Sequence, residues 1–341
     1  MKSDLKDLSY EERRAEGERF KKEFLEFQEN IRGRCKILFK GEMFSPAPHM
    51  ISLRAENLDQ GYYKTIAATL EHGAVNYIDS GSYEGSNRVE LDHTNLVFTE
   101  QRDKSKDVNS IRSLVPWTRG GLTPPTDEDT IQKYFNNYLI GEGMGDNEHY
   151  RYSSWIVGMG DYSITPLEME LLSKELITDT KEKARIEKGV KLYSKDVPRG
   201  TKLNQLDWCA EHFVEKGFGT NHCYITVGCA EGLQRYDWPS KTDTDKGSTE
   251  CLRGLSFKIR DENKLNMTCF FRSWDLYSGL PTNLGGLTLL NEYLANLVNV
   301  KSIEKEKDLP MLEPGILVAN SDGLHIYQDR FESARDWVGV L

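Results

Sequence analysis

Alternating polar and apolar residues predict an antiparallel hairpin in the last third of the chain. Two such runs, residues 255–260 and 265–271, flank the polar turn Asp261-Glu262-Asn263. The second run leads directly into Arg272-Ser273-Trp274-Asp275. Binding and catalytic residues often collect where a strand ends, so this stretch is the first candidate for a site.

Apolar residues at helical spacing predict a set of helices, and short β-branched or aromatic runs predict further strands. The predicted helices cover residues 1 to about 32, 62–72, 131–140, 165–193, 206–216 and 287–298. The predicted strands cover residues 222–227, 315–319 and 324–327. Helices and strands are interspersed without the regular alternation of a Rossmann fold, which favours an α/β protein of another type.

The first predicted helix is amphipathic. Its apolar residues fall near one face, and they are Tyr10, Phe20, Phe24, Phe27 and Ile31. We expect this helix to pack on the main body or on a partner subunit. Residues 1–60 are therefore predicted to form an N-terminal helical extension, and residues 61–341 to form one large domain.

Composition describes an ordinary globular protein. The chain has 341 residues, of which 38% are hydrophobic and 29% charged. It has no run of eighteen apolar residues, and its N-terminus is too charged for a secretory signal, so a cytoplasmic protein is expected. The net charge of −10 argues against a general nucleic-acid surface, although a local basic pocket for a small phosphate is compatible with it.

Six cysteines are scattered along the chain, and no CxxC pair occurs among them. Neither a zinc ribbon nor a disulfide framework is predicted, and no metal site is expected. Five of the six are expected to be small buried hydrophobic residues. Cys251 differs because it follows a polar loop and precedes a strand. A neighbouring guanidinium favours the thiolate form of a cysteine, and Arg253 and Arg272 are both candidates for this role.

Two arginines lie on glycine-bearing loops that are candidate anion sites. Arg88 ends the stretch DSGSYEGSNR (79–88), whose exposed amides are compatible either with an anion cradle or with a plain surface hairpin. Arg119 lies between Thr118 and two glycines, where a ligand contact is expected. The acidic residues at 127–129 are assigned to capping the helix that follows them.

Four ordered motifs in the last third resemble the thymidylate synthase and pyrimidine-nucleotide hydroxymethylase family. They are Cys251, then Arg272-Ser273-Trp274-Asp275, then Gly279-Leu280-Pro281-Thr282-Asn283, then His325-Ile326-Tyr327. The clear match covers residues 250–327, and a vaguer one reaches back to about residue 62. The resemblance implies a twisted mixed sheet backed by helices, and a homodimer paired sheet to sheet.

The resemblance also implies a reaction, the transfer of a one-carbon unit from 5,10-methylenetetrahydrofolate to carbon 5 of a pyrimidine nucleoside monophosphate. Thiolate addition of Cys251 to carbon 6 would make carbon 5 nucleophilic. Tyr152 matches the tyrosine that assists proton removal at carbon 5. Asn283 would read the base, because its amide can donate to O4 of uracil and accept from N3–H.

The remaining motif residues are implied to bind the two substrates. Arg272 and Ser273 would hold the nucleotide phosphate, for which the guanidinium fork is well suited. Asp275 would orient the folate or the base. His325 and Tyr327 would bind the sugar hydroxyl.

Several positions depart from the pattern of the family's synthases. Leu252 follows the cysteine where they have a histidine, and Asn221-His222 occupies the place of an arginine pair that reaches the phosphate across the dimer. Arg88, Arg119 or His222 is expected to compensate. Tyr134 stands at the position of a helix glutamate that helps proton transfer.

The product depends on whether water reaches the methylene formed at carbon 5. A dry site gives a methyl group, and a wet site gives a hydroxymethyl group. The chain continues only to Leu341 after Tyr327, which favours hydroxymethylation, although the apolar segment from Trp337 onward is itself a candidate lid. The expected activity is therefore dUMP hydroxymethylation. The alternatives are thymidylate synthesis, hydroxymethylation of CMP or dCMP, and a non-catalytic homologue that binds nucleotide or RNA.

Overall fold

The computed structural model describes residues 9–39, 41–79, 83–119, 121–141, 150–159, 200–237 and 249–339. The helix predicted over residues 165–193 lies outside these residues. Within them the helices are α1 (Tyr10–Ile31), α2 (Arg34–Leu38), α3 (Leu58–His72), α4 (Glu128–Lys133), α5 (Ser153–Ile156), α6 (Gln205–Lys216), α7 (Gly279–Glu304) and α8 (Phe331–Trp337). A π-helical segment, Tyr134–Leu139, continues α4, and short 3₁₀ turns span Ile111–Leu114, Ala230–Asp237 and Gln328–Arg330.

Two mixed sheets form the frame, which confirms the α/β class. The strands are β1 (Met43–Phe44), β2 (Met50–Ala55), β3 (Ala74–Tyr77), β4 (Asn87–Leu91), β5 (His93–Phe98), β6 (Tyr224–Thr226), β7 (Leu252–Arg260), β8 (Lys264–Phe271), β9 (Trp274–Asp275), β10 (Glu313–Ser321) and β11 (Leu324–Tyr327). The larger sheet has seven strands in the order β1-β2-β5-β10-β8-β7-β6, and the smaller has four in the order β3-β4-β11-β9.

Three segments cross from one sheet to the other at about the same level. β4 is followed by β5 after Asp92, β8 by β9 after Arg272-Ser273, and β10 by β11 after Asp322-Gly323. Since β8 pairs in parallel with β10, and β9 with β11, the last two crossings lie side by side. The polar residues predicted at the end of the second hairpin strand therefore lie at the junction of the sheets.

The predicted hairpin is confirmed, with β7 and β8 paired antiparallel around the turn. Asp261 and Glu262 in this turn both have positive φ, at 48° and 67°. The predicted strand at 222–227 shortens to β6. The helix predicted at 131–140 begins three residues earlier, because the side chain of Asp127 accepts a hydrogen bond from the Thr130 amide at 2.7 Å, and it changes to a π-helical segment after Lys133.

Helix α7 forms the centre of the core and is longer than predicted. Five of its seven leucines are buried, as is expected of a helix that packs most of its surface against the rest of the domain. Its first turns carry Asn283. Burial along most of α7 therefore fixes where the candidate base-reading residue lies.

Helix α1 packs on its own chain. Phe24 and Ile31 are buried, and the Phe24 ring meets the Phe331 ring of α8 edge-on with centroids 5.5 Å apart. Helix α8 in turn buries Trp337 against Tyr62, so the described part of the C-terminal segment packs in the core. β2 precedes residue 61 and pairs with β5, and the division of the chain at residue 60 stays a prediction. Within the described residues, none of the helices has the length and apolar character needed to span a membrane.

Candidate active site

Cys251 lies at the junction of the two sheets. It immediately precedes β7, whose first residue, Leu252, is paired with Phe271 at the end of β8. The Arg272 amide donates to the Cys251 carbonyl at 2.9 Å, which continues this pairing to the cysteine itself. The hairpin thus places the thiol beside the first residue of the Arg-Ser-Trp-Asp motif.

Two hydrogen-bond donors contact the Cys251 sulfur. The Tyr150 hydroxyl is 3.7 Å from Sγ, and Nη2 of Arg272 is 3.8 Å from it. The thiol is half-buried, whereas Cys35, Cys209, Cys223 and Cys269 are buried. A partly accessible sulfur with a guanidinium and a hydroxyl beside it is the environment that supports a thiolate nucleophile.

Four tyrosines cluster next to this sulfur. The Tyr152 hydroxyl accepts a hydrogen bond from the Leu252 amide at 3.1 Å, and its ring meets the Tyr138 ring edge-on at 5.1 Å. Tyr134 stacks on Tyr138 at 5.4 Å, and its buried hydroxyl has no partner among the described residues. Burial raises the pKa of Tyr134, Tyr150 and Tyr152 well above the usual range, so these groups are neutral hydroxyls at physiological pH.

Arg272 holds the segment that carries the nucleophile. Its Nε donates to the Glu250 carbonyl at 3.1 Å, and its Nη2 donates to the Thr249 carbonyl at 2.8 Å. Nη1 has no partner among the described residues. The guanidinium therefore fixes the backbone before Cys251 and leaves one nitrogen for an anion.

Glu250 is a fully buried carboxylate directly before the nucleophile. Its Oε1 accepts from the Trp155 indole at 2.7 Å, and its Oε2 accepts from the Thr249 hydroxyl at 2.8 Å. Arg253 approaches Oε2 at 3.9 Å, so this arginine pairs with Glu250, while Arg272 is the arginine that contacts the sulfur. These contacts of Glu250 help to fix the backbone immediately before Cys251.

Trp274, Asp275 and Asn283 form a second group at the same junction. The Trp274 indole donates to Oδ1 of Asn283 at 2.8 Å. Oδ1 of Asp275 accepts from the amides of Tyr277 and Ser278, so part of its role is to cap the turn into α7. Burial raises the pKa of Asp275 above its usual value. Its carboxyl group is therefore easier to protonate than an exposed one.

The histidine and tyrosine of the last motif lie on β11 in the smaller sheet. His325 is buried, with Nδ1 2.9 Å from the Gly323 carbonyl and Nε2 without a partner among the described residues. Since a carbonyl only accepts, Nδ1 carries the proton and Nε2 is an acceptor. Burial lowers the pKa of His325, which favours this neutral form. Tyr327 stacks on Tyr83 with ring centroids 3.7 Å apart.

The three compensating residues predicted from the sequence lie in different places. Arg88 is opposite Tyr327 in the pairing of β4 with β11, and its Nε is 3.0 Å from Glu90. Arg119 pairs with Asp59 at 2.9 Å and lies over the Tyr63 ring. His222 lies just before β6, next to Cys223. The Cys223 carbonyl accepts a hydrogen bond from the Phe257 amide, which is in the half of β7 remote from Cys251. Arg88 thus joins the His325 side of the site, while the contacts of Arg119 and His222 within this chain lie elsewhere.

No protein-family model matches this chain. Archaeal proteins with the name "Putative thymidylate synthase" are similar to it. The protein from Methanosarcina mazei is 34% identical over 101 residues, which cover 30% of this chain and 41% of the relative. The protein from Methanococcoides burtonii is 25% identical over 214 residues (62% and 82%), and that from Methanosarcina barkeri 33% over 137 residues (40% and 52%).

These relatives confirm the resemblance to the thymidylate synthase family. The chain spans less than two thirds of the Methanosarcina mazei and Methanosarcina barkeri relatives that it matches. The structure also shows where two of the predicted departures from the synthase pattern lie. Leu252 is fully buried, and Tyr134 at the glutamate position belongs to the tyrosine cluster next to Cys251.

Three residues of this candidate site are not predicted from the sequence. They are Tyr150, Glu250 and Trp274. Tyr150 is two residues before the predicted Tyr152. If the segment Tyr-Arg-Tyr is taken as extended, both tyrosine rings fall on the same face, so this pattern could have indicated Tyr150. Trp274 is the unassigned position inside a motif whose other members all received roles. No pattern in the sequence distinguishes Glu250 from a solvent-exposed acid.

We predict that Tyr150→Phe slows turnover about 10- to 100-fold, the range for loss of a hydrogen bond to a charged group. The ring stays in place, while the donor 3.7 Å from the Cys251 sulfur is removed. The rate of Cys251 alkylation by iodoacetamide, followed by mass spectrometry, should fall in parallel. Tyr293→Phe, which removes an exposed hydroxyl from α7, is the control. An unchanged alkylation rate in Tyr150→Phe would show that the hydroxyl does not act on the sulfur.

Proposed function

We propose that this chain transfers a one-carbon unit to carbon 5 of a uracil nucleoside monophosphate, dUMP, with Cys251 adding to carbon 6. The observation that carries the proposal is the pair of donors on the Cys251 sulfur, Tyr150 and Arg272, at the junction of two sheets. A sulfur in this setting suits addition to an electron-poor ring. The name of the archaeal relatives supports a pyrimidine one-carbon transferase.

The nucleotide is proposed to extend between the two sheets. Arg272 would hold its phosphate through Nη1, with Ser273 beside it. The neutral His325 would accept a hydrogen bond from the sugar hydroxyl at Nε2, and the Tyr327 hydroxyl would bind the same sugar. Arg88, opposite Tyr327, is proposed to add positive charge on this side. Arg119 and His222 remain proposed phosphate ligands, for which we expect a second subunit to be needed.

The chain's own groups suffice for activation of the ring. The Cys251 thiolate forms a bond to carbon 6, and the electron pair of the C5=C6 double bond moves to carbon 5 and O4. Tyr150 and Arg272 stabilise the thiolate before this step. Tyr152 would then take part in removing the proton from carbon 5. Because its pKa is raised by burial, we propose that it passes this proton through its hydroxyl and does not act as a phenolate base.

Methylenetetrahydrofolate is the proposed cosubstrate, and it supplies the one-carbon unit. Asp275 fits the pterin ring, which presents N–H donors, because only Oδ1 of this half-buried carboxylate is used by the turn amides. Asp275 is accordingly proposed as the residue that orients the folate.

Two products are compatible with one intermediate. Hydroxymethylation, the product expected from the sequence, adds water and leaves tetrahydrofolate. Methylation is favoured by the name of the relatives and converts the folate to dihydrofolate. Incubation with dUMP and methylenetetrahydrofolate, followed by mass spectrometry of the nucleotide and assay of dihydrofolate, separates the two. If folded protein forms neither product, the proposed function is wrong.

We also propose that two copies pair through the open face of the larger sheet. This face presents Tyr224, Phe270 and Ile316, each more than a third exposed, together with the half-buried Val97 and Val318. Apolar side chains on an open sheet are typical of a surface that is covered in the assembled protein. A solution mass equal to that of one chain, measured by light scattering, would contradict this proposal.

A further inference from the structure

The side-chain amide of Asn283 has a defined orientation. The Trp274 Nε1 lies 2.8 Å from one of its terminal atoms. An indole N–H donates and never accepts, so the atom that faces Trp274 must be the oxygen Oδ1. The nitrogen Nδ2 therefore points away from the indole, and it has no partner among the described residues.

Both partners of this hydrogen bond are held firmly. The Trp274 ring is 3% exposed and stacks on Phe271 with centroids 3.8 Å apart and an interplanar angle of 9°. Its backbone is part of β9, and its amide donates to the Gly323 carbonyl at 2.9 Å. Asn283 lies in the second turn of the buried helix α7. The indole N–H is therefore a fixed donor to the amide of Asn283.

Amide orientation decides which pyrimidine an asparagine can read. The uracil edge offers O4 as an acceptor and N3–H as a donor, whereas cytosine offers a 4-amino donor and N3 as an acceptor. An amide that rotates by half a turn matches either edge. An amide held in one orientation matches only one of them, because the other edge would face donor with donor and acceptor with acceptor.

We propose that Trp274 is a specificity-determining positioning residue: by donating to Oδ1 it holds Asn283 in the orientation that reads uracil and rejects cytosine. This inference rests on the proposed function and deepens it. Nδ2–H donates to O4, and the second lone pair of Oδ1 accepts from N3–H. Trp274 acts through Asn283 and does not touch the base.

The same hydrogen bond strengthens the donor during the reaction. When the Cys251 sulfur bonds to carbon 6, the electron pair of the C5=C6 bond is delocalised through C4 onto O4, and no group leaves. Nδ2–H then faces an oxygen that carries negative charge. Donation from Trp274 to Oδ1 polarises the amide and makes Nδ2–H a better donor, so the interaction gains most after the sulfur has added.

The test compares dUMP with dCMP in kcat/KM for wild type and two variants of Trp274. Trp274→Phe removes the N–H and keeps an aromatic ring. Site-specific incorporation of 3-benzothienylalanine at position 274 replaces N–H by sulfur with little change of shape. We expect the dUMP-to-dCMP ratio to fall about tenfold in both, the worth of one hydrogen bond. For dUMP, kcat should fall more than KM rises.

Phe271→Leu is the matched control, because it disturbs the stacking on the same indole and leaves the N–H in place. It should keep the wild-type ratio. Equal loss of discrimination in this control would overturn the proposal, since packing alone would then explain the effect. An unchanged ratio in the benzothienyl protein would also overturn it, even if Trp274→Phe fails to fold. Either outcome would overturn only the role of Trp274. The proposed function would still stand as long as the wild-type protein converts dUMP.

Discussion

Replacement of Cys251 by alanine is expected to abolish nucleotide modification, with a fall in kcat of about 10⁴-fold or more, as for other covalent nucleophiles. The expectation rests on the position of the sulfur, between the Tyr150 hydroxyl and Arg272 at the sheet junction. Without a group that adds to carbon 6, carbon 5 of the pyrimidine is a poor nucleophile. The measurement is product formation from dUMP and methylenetetrahydrofolate, followed by mass spectrometry.

Two measurements make the result specific. Cys229→Ala removes another cysteine that is not fully buried and should retain the wild-type rate. Nucleotide binding to Cys251→Ala, measured by calorimetry, should persist, because Arg272 and His325 are intact. Undiminished turnover in Cys251→Ala would eliminate the covalent route. A protein that binds nucleotide equally well in both forms, with no turnover in wild type, would instead match the non-catalytic alternative.

Arg272→Lys is expected to lower kcat/KM for dUMP about 100-fold or more, because three separate contacts of the fork are lost together. Nε and Nη2 hold the carbonyls of Glu250 and Thr249, and Nη2 also approaches the Cys251 sulfur. Lysine keeps the charge but presents it from a single point, so it cannot bridge both carbonyls and still meet a phosphate. Steady-state kinetics should show a rise in KM together with a fall in kcat.

Arg260→Lys is the control for this substitution, since Arg260 is the last residue of β7, at the turn end of the hairpin, and among the described residues its side chain hydrogen-bonds only the Ile259 carbonyl. Thermal melting of both variants shows whether the loss comes from unfolding. A rise in KM alone, with kcat unchanged, would show that Arg272 binds phosphate but does not organise the nucleophile. Wild-type kinetics in Arg272→Lys would remove Arg272 from the site.

The sequence predicts much of the frame because the hairpin follows a local pattern. The alternation in β7 and β8 and the turn at Asp261 specify the pairing that brings Arg272 beside Cys251. The apolar character of α7 likewise predicts burial. Local patterns do not reveal that β8 and β10 leave one sheet for another, because the strands after them, β9 and β11, are only two and four residues long.

The site residues that the sequence does not predict all act through contacts between segments that are apart in the sequence. Tyr150 contacts Cys251, which is 101 residues away in the sequence, and Glu250 contacts Trp155, which is 95 residues away. Trp274 matters through a single hydrogen bond whose partner lies nine residues further on, in another element. Such contacts depend on tertiary packing and leave no periodic trace. Arg119 contacts Asp59 and the Tyr63 ring within this chain, and its predicted ligand role stays a prediction.

The burial of α7 links substitutions in the core to the position of Asn283. Asn283 belongs to a helix that buries Leu287 and Leu294 completely in the core. A substitution deep in the core that shifts this helix along its axis also moves the amide relative to Cys251, with no residue of the site altered. With the proposed base-reading role of Asn283, we expect core variants selected only for thermal tolerance to change nucleotide preference as well.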